Sequence, residues 1–320
     1  MTRRNIIVFV FLLCVFAVSF LVLTFDVFGE QKPKEVLDIS FVVRGKTSDS
    51  WASMRQGAEQ AASEMNVNLS FITLTEENDA QEQVGLFDRE VINGADAILV
   101  SAADSEAMID PVKEAQREIP VICVESKVYD DSFTSYISAD NYAMGRRLAD
   151  ELIEQGYVRK NIAVVTYEND CDNINRRKEG LMDTLSRTNN AVSFWTLKSD
   201  GTKGIRQLQE LLNQEPVDTI VALDLSILEL AAQMIDDNEL ETVLFGIGAT
   251  GKVAYYVEQG VISATIVQND FANGYLGVQS AVDAIMKKPV EKEIRVEYRL
   301  INKDNMYKIE NQRLLFPFVR

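Results

Sequence analysis

At 320 residues the chain is long enough for about two domains of ordinary size, and its 47% hydrophobic and 25% charged content is that of a globular protein, not a disordered one. A formal net charge of −17 argues against a nucleic-acid partner, because a phosphate backbone rewards clustered Lys and Arg; solubility is the plainer account of the acid excess. There is no histidine, which removes every His-dependent triad, His general base and His metal ligand, and the three cysteines (Cys14, Cys123, Cys171) form no C-x-x-C pair, so neither a metal nor a cofactor is expected.

Arg3 and Arg4 precede an apolar run over residues 6–25, interrupted only by Cys14, Ser19 and Thr24. Its length suits a helix crossing a bilayer, and the flanking positive charge puts the N-terminus in the cytoplasm. A cleaved signal peptide is the rival reading, but the residues around Thr24 to Glu30 offer no A-x-A pattern. Residues 1–28 are therefore read as an uncleaved anchor held in the lipid bilayer through 6–25, residues 29–36 as a polar linker, and everything after about residue 30 as exported.

From residue 37 onward strands and helices alternate. The β-branched run at 37–43 predicts a buried strand, Arg44 to Asp49 a polar loop, and Met54, Gly57, Ala58, Ala61, Ala62 and Met65 recur at helical spacing over 50–65, with an exposed Trp51 at the junction. Further strands are predicted at 69–75, 97–101, 121–125 and 136–138, with helices at 79–93 and 105–118 between them. A second set places strands at 161–166, 192–197, 219–222, 242–246 and 264–267, and helices at 141–155, 175–187, 203–213, 226–235 and 251–258. A helix at 274–286 and a last strand at 293–300, alternating charged and apolar, close the chain. Such alternation means parallel strands joined by right-handed crossovers, hence two doubly wound α/β lobes. Cys123 lies in a predicted strand; its pairing with Cys171 is left open.

The ordered segments FVV…SDSWASMRQGAEQAASE, ADAILVSAADSEAM, IPVICVES, YISADNYAMGRRLADEL, RRKEGL and GVISATIVQND resemble the type I periplasmic sugar-binding proteins, with ribose-binding proteins as the nearest type, over roughly residues 37–300. The resemblance implies two parallel-sheet lobes joined by a three-strand hinge, with a sugar in the cleft and lobes that close on it. Crossings are implied near 138–141, 268–270 and 295–298. The N-terminal lobe would then be 37–138 plus 270–292, the C-terminal lobe 139–269 plus 293–320, and the helix at 274–286 would pack back on the first lobe.

The resemblance also implies site residues. Trp51 takes the place of a sugar-stacking aromatic, and Arg44 and Ser48 belong to the same loop. Glu125 and Ser126 stand where the family often has Asp-Arg, keeping the acid and losing the base. Asn173, Asn175 and Arg177 precede Gly180 as in the family's R-x-x-G, with the family's ligand Arg aligned nearer Asn175. Asp224 ends a strand and Gln268 matches a ligand Gln, whereas Gly248 replaces a ligand Asp. Asp140, Asn141 and Asp270 are read as hinge and helix-cap residues.

Residues Gly246 to Gly251 fit G-x-G-x-x-G after a strand, with Asp270 about 20 residues on, as a dinucleotide fingerprint requires; the exported location and the place of this strand within its set weigh against it. The expected function is extracytoplasmic binding of a solute, a sugar by resemblance, without catalysis and as a monomer. The closed form would be read by a membrane permease for ABC-type uptake or by a membrane histidine kinase for sensing; a nucleotide-binding enzyme is the remaining alternative.

Overall fold

The computed structural model describes residues 3, 9, 11–17, 19–20, 36–46, 51–199 and 201–315. The chain divides into two units, Met1–Val36 and Leu37–Arg320. In the first, residues 11–17 are helical and exposed. Among the described residues no helix is long and apolar enough to cross a membrane, and both ends of the expected span at 6–25 lie outside them.

The second unit holds two six-stranded sheets of the same plan. The first contains β1 (Leu37–Lys46), β2 (Val67–Leu74), β3 (Ala97–Val100), β4 (Val121–Val124), β5 (Ser135–Ser138) and β11 (Glu293–Arg295), in the order β11-β5-β4-β3-β1-β2. The second contains β6 (Asn161–Tyr167), β7 (Ala191–Leu197), β8 (Thr219–Ala222), β9 (Val243–Ile247), β10 (Ile262–Gln268) and β12 (Tyr298–Asn302), in the order β12-β10-β9-β8-β6-β7. In each, the opening strand sits between the second and third, so the strand order reverses there. That is the switch point beside which open α/β sheets bind ligands. The central strands are buried on both faces, as in Ala97–Val100 and Thr219–Ala222, because helices cover both sides.

The helices are α1 (Ala52–Met65), α2 (Ala80–Ile92), α3 (Ile109–Ala115), α4 (Asn141–Glu154), α5 (Asp172–Leu185), α6 (Gly201–Gln214), α7 (Leu225–Asp237), α8 (Gly251–Gln259), α9 (Asp270–Ile285) and α10 (Ile309–Leu315). In α1, Met54, Gly57, Ala58, Ala61 and Ala62 form the buried face that the spacing predicts. The face is made of small residues because α9 crosses it at backbone contact. A Cβ on Gly57 would lie 2.0 Å from the Phe271 carbonyl oxygen, and one on Gly274 would lie 1.9 Å from that of Met54. The second lobe repeats the arrangement with α4 and α5. A Cβ on Gly145 would meet the Arg177 oxygen at 1.9 Å, and one on Gly180 the Tyr142 oxygen at 2.0 Å. In all four cases the carbonyl met belongs to the residue three positions before the partner glycine.

Three crossings connect the sheets. β5 ends at Ser138 and α4 begins at Asn141; β10 ends at Gln268 and α9 begins at Asp270; β11 ends at Arg295 and β12 begins at Tyr298. The third is bonded to both others, Val296 N–H donating to the Ser138 carbonyl (3.1 Å) and Asn269 N–H to that of Glu297 (3.0 Å).

Several expectations need correction. The single strand expected at 293–300 is two strands in different sheets, so 293–295 belongs to the first lobe and the boundary falls at Val296 and Glu297. β12 runs antiparallel to β10, so the second sheet is not wholly parallel. The last long helix starts at Asp270, not 274, because Asn269 caps it by accepting from Ala272 N–H at 3.0 Å. Cys123 and Cys171 are free, buried thiols, so the disulfide left open is absent.

Candidate functional site

The site assembles from strand ends. β1 delivers Arg44 near its C-terminal end and β4 is followed directly by Glu125, whose φ of 67° turns the chain sharply. Both side chains are buried. Arg44 makes a forked pair with Glu125, Nε to Oε2 at 3.0 Å and Nη2 to Oε1 at 3.2 Å. Its Nη1 donates to Asn78 Oδ1 at 2.7 Å and its Nη2 reaches across the cleft to Asp224 Oδ2 at 3.0 Å. Glu125 thus takes its first-lobe cation from β1.

The second lobe answers in kind. Arg177, on α5, extends Nη2 to Glu125 Oε1 at 3.4 Å, while its Nε donates to Asn141 Oδ1 (2.9 Å) and its Nη1 to the Leu223 carbonyl (3.0 Å). Asn173 also donates to Glu125, and Ser101 Oγ donates to its other oxygen at 2.9 Å. Asp224 caps the start of α7, accepting from Ser226 N–H at 3.0 Å while it holds Arg44. Each lobe therefore lends its cation to an anion of the other. Backbone contacts add to the apposition: Ser105 N–H donates to the Asp170 carbonyl (2.7 Å) and Asp172 N–H to Ser105 Oγ (2.8 Å).

Between these groups lies a cavity of about 50 Å³. It takes Arg44, Trp51, Glu77 and Glu125 from the first lobe, Arg177, Asp224 and Gly248 from the second, and Gln268 and Asp270 from the second crossing. Trp51 is 8% exposed, not exposed as expected; it opens α1, packs in the first-lobe core and carries the Arg44 guanidinium 5.7 Å from its ring centroid.

The electrostatics divide the carboxylates. Burial alone would raise the Glu125 pKa, but Arg44 and Arg177 outweigh it and bring it down to about 2. Burial likewise opposes the charge on Arg44, yet Glu125 and Asp224 hold its pKa well above the ordinary value. Arg177 is lowered, chiefly by burial. Asp270 is pushed up to about 7 by burial and then by the Glu125 charge, and Glu77 up to about 7 by burial and then by Asp224.

Of the residues singled out in the sequence, Arg44, Trp51, Glu125, Arg177, Asp224 and Gln268 converge on the cavity, and Asp270, read as hinge, lines it too. Ser48 lies outside the described residues. Asn175 does not reach the cavity; it is exposed and bonds Tyr129 and Asp170. α5 begins at Asp172, so Asn173 and Arg177 at i and i+4 share a face, while Asn175 is turned about 200° from Arg177. Ser126 is buried beneath the turn at Glu125, outside the cavity lining, and its Oγ has no partner. Asp140 caps α4 by accepting from Ala143 N–H at 2.9 Å, and Asn141 orients Arg177.

Glu77, Met54, Leu225, Ser226 and Ile247 line the cavity without having been expected there. Gly248 has φ of 131°, and a Cβ there would lie 2.7 Å from the Leu225 Cβ, so only glycine fits this wall. The G-x-G-x-x-G stretch ends in an ordinary cap, Thr250 accepting from Val253 N–H at 3.2 Å.

A family model described as the periplasmic binding protein domain matches residues 39–289. The chain belongs to the periplasmic binding protein family. It is similar to the ribose import binding protein of Haemophilus influenzae, with 25% identity over 259 residues, covering 79% of this chain and 87% of the relative. Among solved structures, a carbohydrate transporter solute binding protein from Agrobacterium radiobacter, in complex with D-arabinose, has a TM-score of 0.83 at 22% identity, covering 88% of this chain and 99% of that one. A sugar transporter from Clostridium phytofermentans has a TM-score of 0.74 at 27% identity, covering 84% and 100%. The family is one of extracytoplasmic binding proteins, and this chain is a binder, not an enzyme.

Proposed function

We propose that the chain binds a carbohydrate-sized polar solute in this cavity and signals its capture by lobe closure. The observation that supports the reading most is the pairing of each lobe's cation with the other lobe's anion around a cavity at the switch points of both sheets. Hydroxyls can accept from a guanidinium and donate to a carboxylate or to the Gln268 amide oxygen, and the Trp51 ring offers an apolar wall. A ligand that bridges the lobes competes with the Arg44–Asp224 bond between them. The ligand then replaces a protein–protein bond and closes the lobes by no more than its differential affinity for the closed state.

The relatives' names support delivery to an ABC-type permease as the downstream step. The apolar N-terminal run supports a tethered protein, which also suits presentation to a membrane sensor kinase. Calorimetric titration against a panel of mono- and disaccharides tests the binding: saturable heat with one or more sugars is expected, and none with any sugar would end the carbohydrate reading. Mass spectrometry of membrane-extracted protein tests the anchor, with Met1 or Thr2 expected at its start; a start near residue 30 would show cleavage.

A further inference from the structure

The cavity is unevenly supplied with hydrogen-bond donors. Its charged lining is two guanidiniums, Arg44 and Arg177, against four carboxylates, Glu77, Glu125, Asp224 and Asp270. Every nitrogen of both guanidiniums is already bonded to the protein, to Asn78, Glu125 and Asp224 for Arg44 and to Asn141, Leu223 and Glu125 for Arg177. Those bonds neutralise Glu125 and, until a ligand parts the Arg44–Asp224 pair, Asp224; that parting offers the ligand one guanidinium donor and exposes one more carboxylate. Among the described residues neither Glu77 nor Asp270 makes an ion pair: Glu77 accepts from Lys46 N–H at 3.1 Å, and Asp270 Oδ1 accepts from the amides of Gln268 (2.8 Å) and Asn273 (3.2 Å).

Those two amides then turn their oxygens elsewhere. Gln268, 8% exposed and lining the cavity, has an Oε1 without a hydrogen-bond partner, and so has the Oδ1 of fully buried Asn273. Leaving a buried acceptor unmet is costly, so a group that supplies donors here is favoured twice, by hydrogen bonds and by charge. A neutral hydroxyl brings one donor. An ammonium brings three and the missing charge.

We propose that the ligand is an amino sugar, its protonated amine placed between the Asp270 carboxylate and the Gln268 amide oxygen. This rests on the carbohydrate reading above and narrows it. Trp51 and the hydroxyl-binding groups serve the ring, and the second crossing serves the amine. The raised pKa values of Asp270 and Glu77 fit buried carboxylates on which burial and a neighbouring acid outweigh the pull of the nearby cations.

The test is calorimetric titration of the full chain at pH 7.5 with D-glucosamine, D-galactosamine, their neutral parents, their N-acetyl derivatives and putrescine. The amino sugars should bind at least about tenfold tighter than parent or acetylated forms, the size expected of one charged hydrogen bond. In Asp270→Asn that preference should fall to about twofold or less. Equal binding of a neutral parent and its amino form overturns the amine placement while leaving the carbohydrate reading intact. Binding of putrescine but of no sugar, or of nothing in the panel, overturns both.

Folding of Asp270→Asn is checked by its melting curve. A carboxylate whose folded pKa is raised lowers stability as pH climbs from its unfolded value near 4 toward about 7. The variant should therefore melt higher than the parent at pH 8 and at the same temperature at pH 4. A variant that melts lower at both pH values would show Asp270 to be a structural acceptor and would overturn its role as the amine's partner.

Discussion

The two lobes are the same construction with different chemistry at equivalent points. Both sheets reverse strand order at their first strand, and both rest on a helix pair crossing through reciprocal glycines, Gly57 with Gly274 and Gly145 with Gly180. Three residues before those glycines, however, the first lobe has Met54 and Phe271 and the second has Tyr142 and Arg177. The glycine contacts set the height of each helix against its partner, and the residues three positions earlier use that height differently. The first lobe gains an apolar floor at Met54; the second gains a buried cation. The scaffold is shared, and this part of the cavity's asymmetry arises within one turn of helix.

Glu125 is the sharpest point at which to break this relation. It takes a cation from each lobe, whereas among the described residues Asp224 takes one from Arg44 alone. Glu125→Gln leaves buried Arg177 without its carboxylate and Arg44 with Asp224 alone, and should cost about 3–5 kcal/mol in urea unfolding. Asp224→Asn leaves Arg44 still paired and should cost about 1–2 kcal/mol. Equal losses would mean that the cross-lobe network does not centre on the first lobe. The pH dependence has a definite sign: a carboxylate held near 2 contributes stability that is complete above its unfolded value and is lost as pH falls toward 2, a loss absent from Glu125→Gln.

The residues opening α1 and α5 form a second contrast. Trp51 and Cys171 occupy the N-cap of each helix, and neither side chain makes a capping bond. Trp51 is a large core and cavity residue, so Trp51→Ala should cost about 3 kcal/mol of stability and weaken any ligand by about 2 kcal/mol, read by melting and by titration. Cys171 donates to the Ala103 carbonyl at 2.9 Å, and Cys171→Ala should cost about 1 kcal/mol. A Trp51→Ala variant with unchanged stability would make the ring a ligand platform alone.

How far this was readable from sequence follows the same division. Strands and helices of both lobes follow from periodicity, because parallel central strands are continuous apolar runs between amphipathic helices. The change of sheet after Arg295 came from the resemblance and not from periodicity: Ile294, Val296, Tyr298 and Leu300 keep one alternation across the crossing, which reads as a single strand. In the site, Arg44, Trp51, Glu125, Asp224 and Gln268 lie at or just after strand ends, and the family resemblance singled them out there. Asn175 was favoured for want of the helix start. Once α5 is known to begin at Asp172, the i, i+4 pair of Asn173 and Arg177 picks out the buried face. Glu77 stands among Glu76, Asn78 and Asp79, a polar stretch in which nothing separates the inward acid from its outward neighbours. The glycine crossings join residues more than 200 positions apart in the first lobe, and only the fold pairs them.

Those crossings give a test of equivalence. Gly57→Ala and Gly145→Ala each set a methyl about 2 Å from a carbonyl oxygen of the partner helix, Phe271 in one and Arg177 in the other. Each helix pair must separate, and a loss of about 1–3 kcal/mol is expected in both. A large loss in one lobe with none in the other would show that only one pair is held at backbone contact.

The smallest expected effect lies at the hinge, where the lobes are again matched. The first crossing enters α4 through Asp140, which accepts from Ala143 N–H at 2.9 Å; the second enters α9 through Asn269, which accepts from Ala272 N–H at 3.0 Å. Each cap is followed by a residue engaged with the site, Asn141 holding Arg177 and Asp270 holding Gln268. Removing either cap with Ala frees one N–H of the first helical turn and should cost about 1 kcal/mol. Because α4 belongs to the second lobe and α9 packs on the first, the two losses loosen opposite sides of the same hinge. They lie on separate helices with no shared hydrogen bond, so the double variant should lose their sum within about 0.5 kcal/mol in urea unfolding. A double variant departing from that sum by about 1 kcal/mol or more would mean that the crossings act as one unit, and that loosening one lobe's entry already loosens the other's.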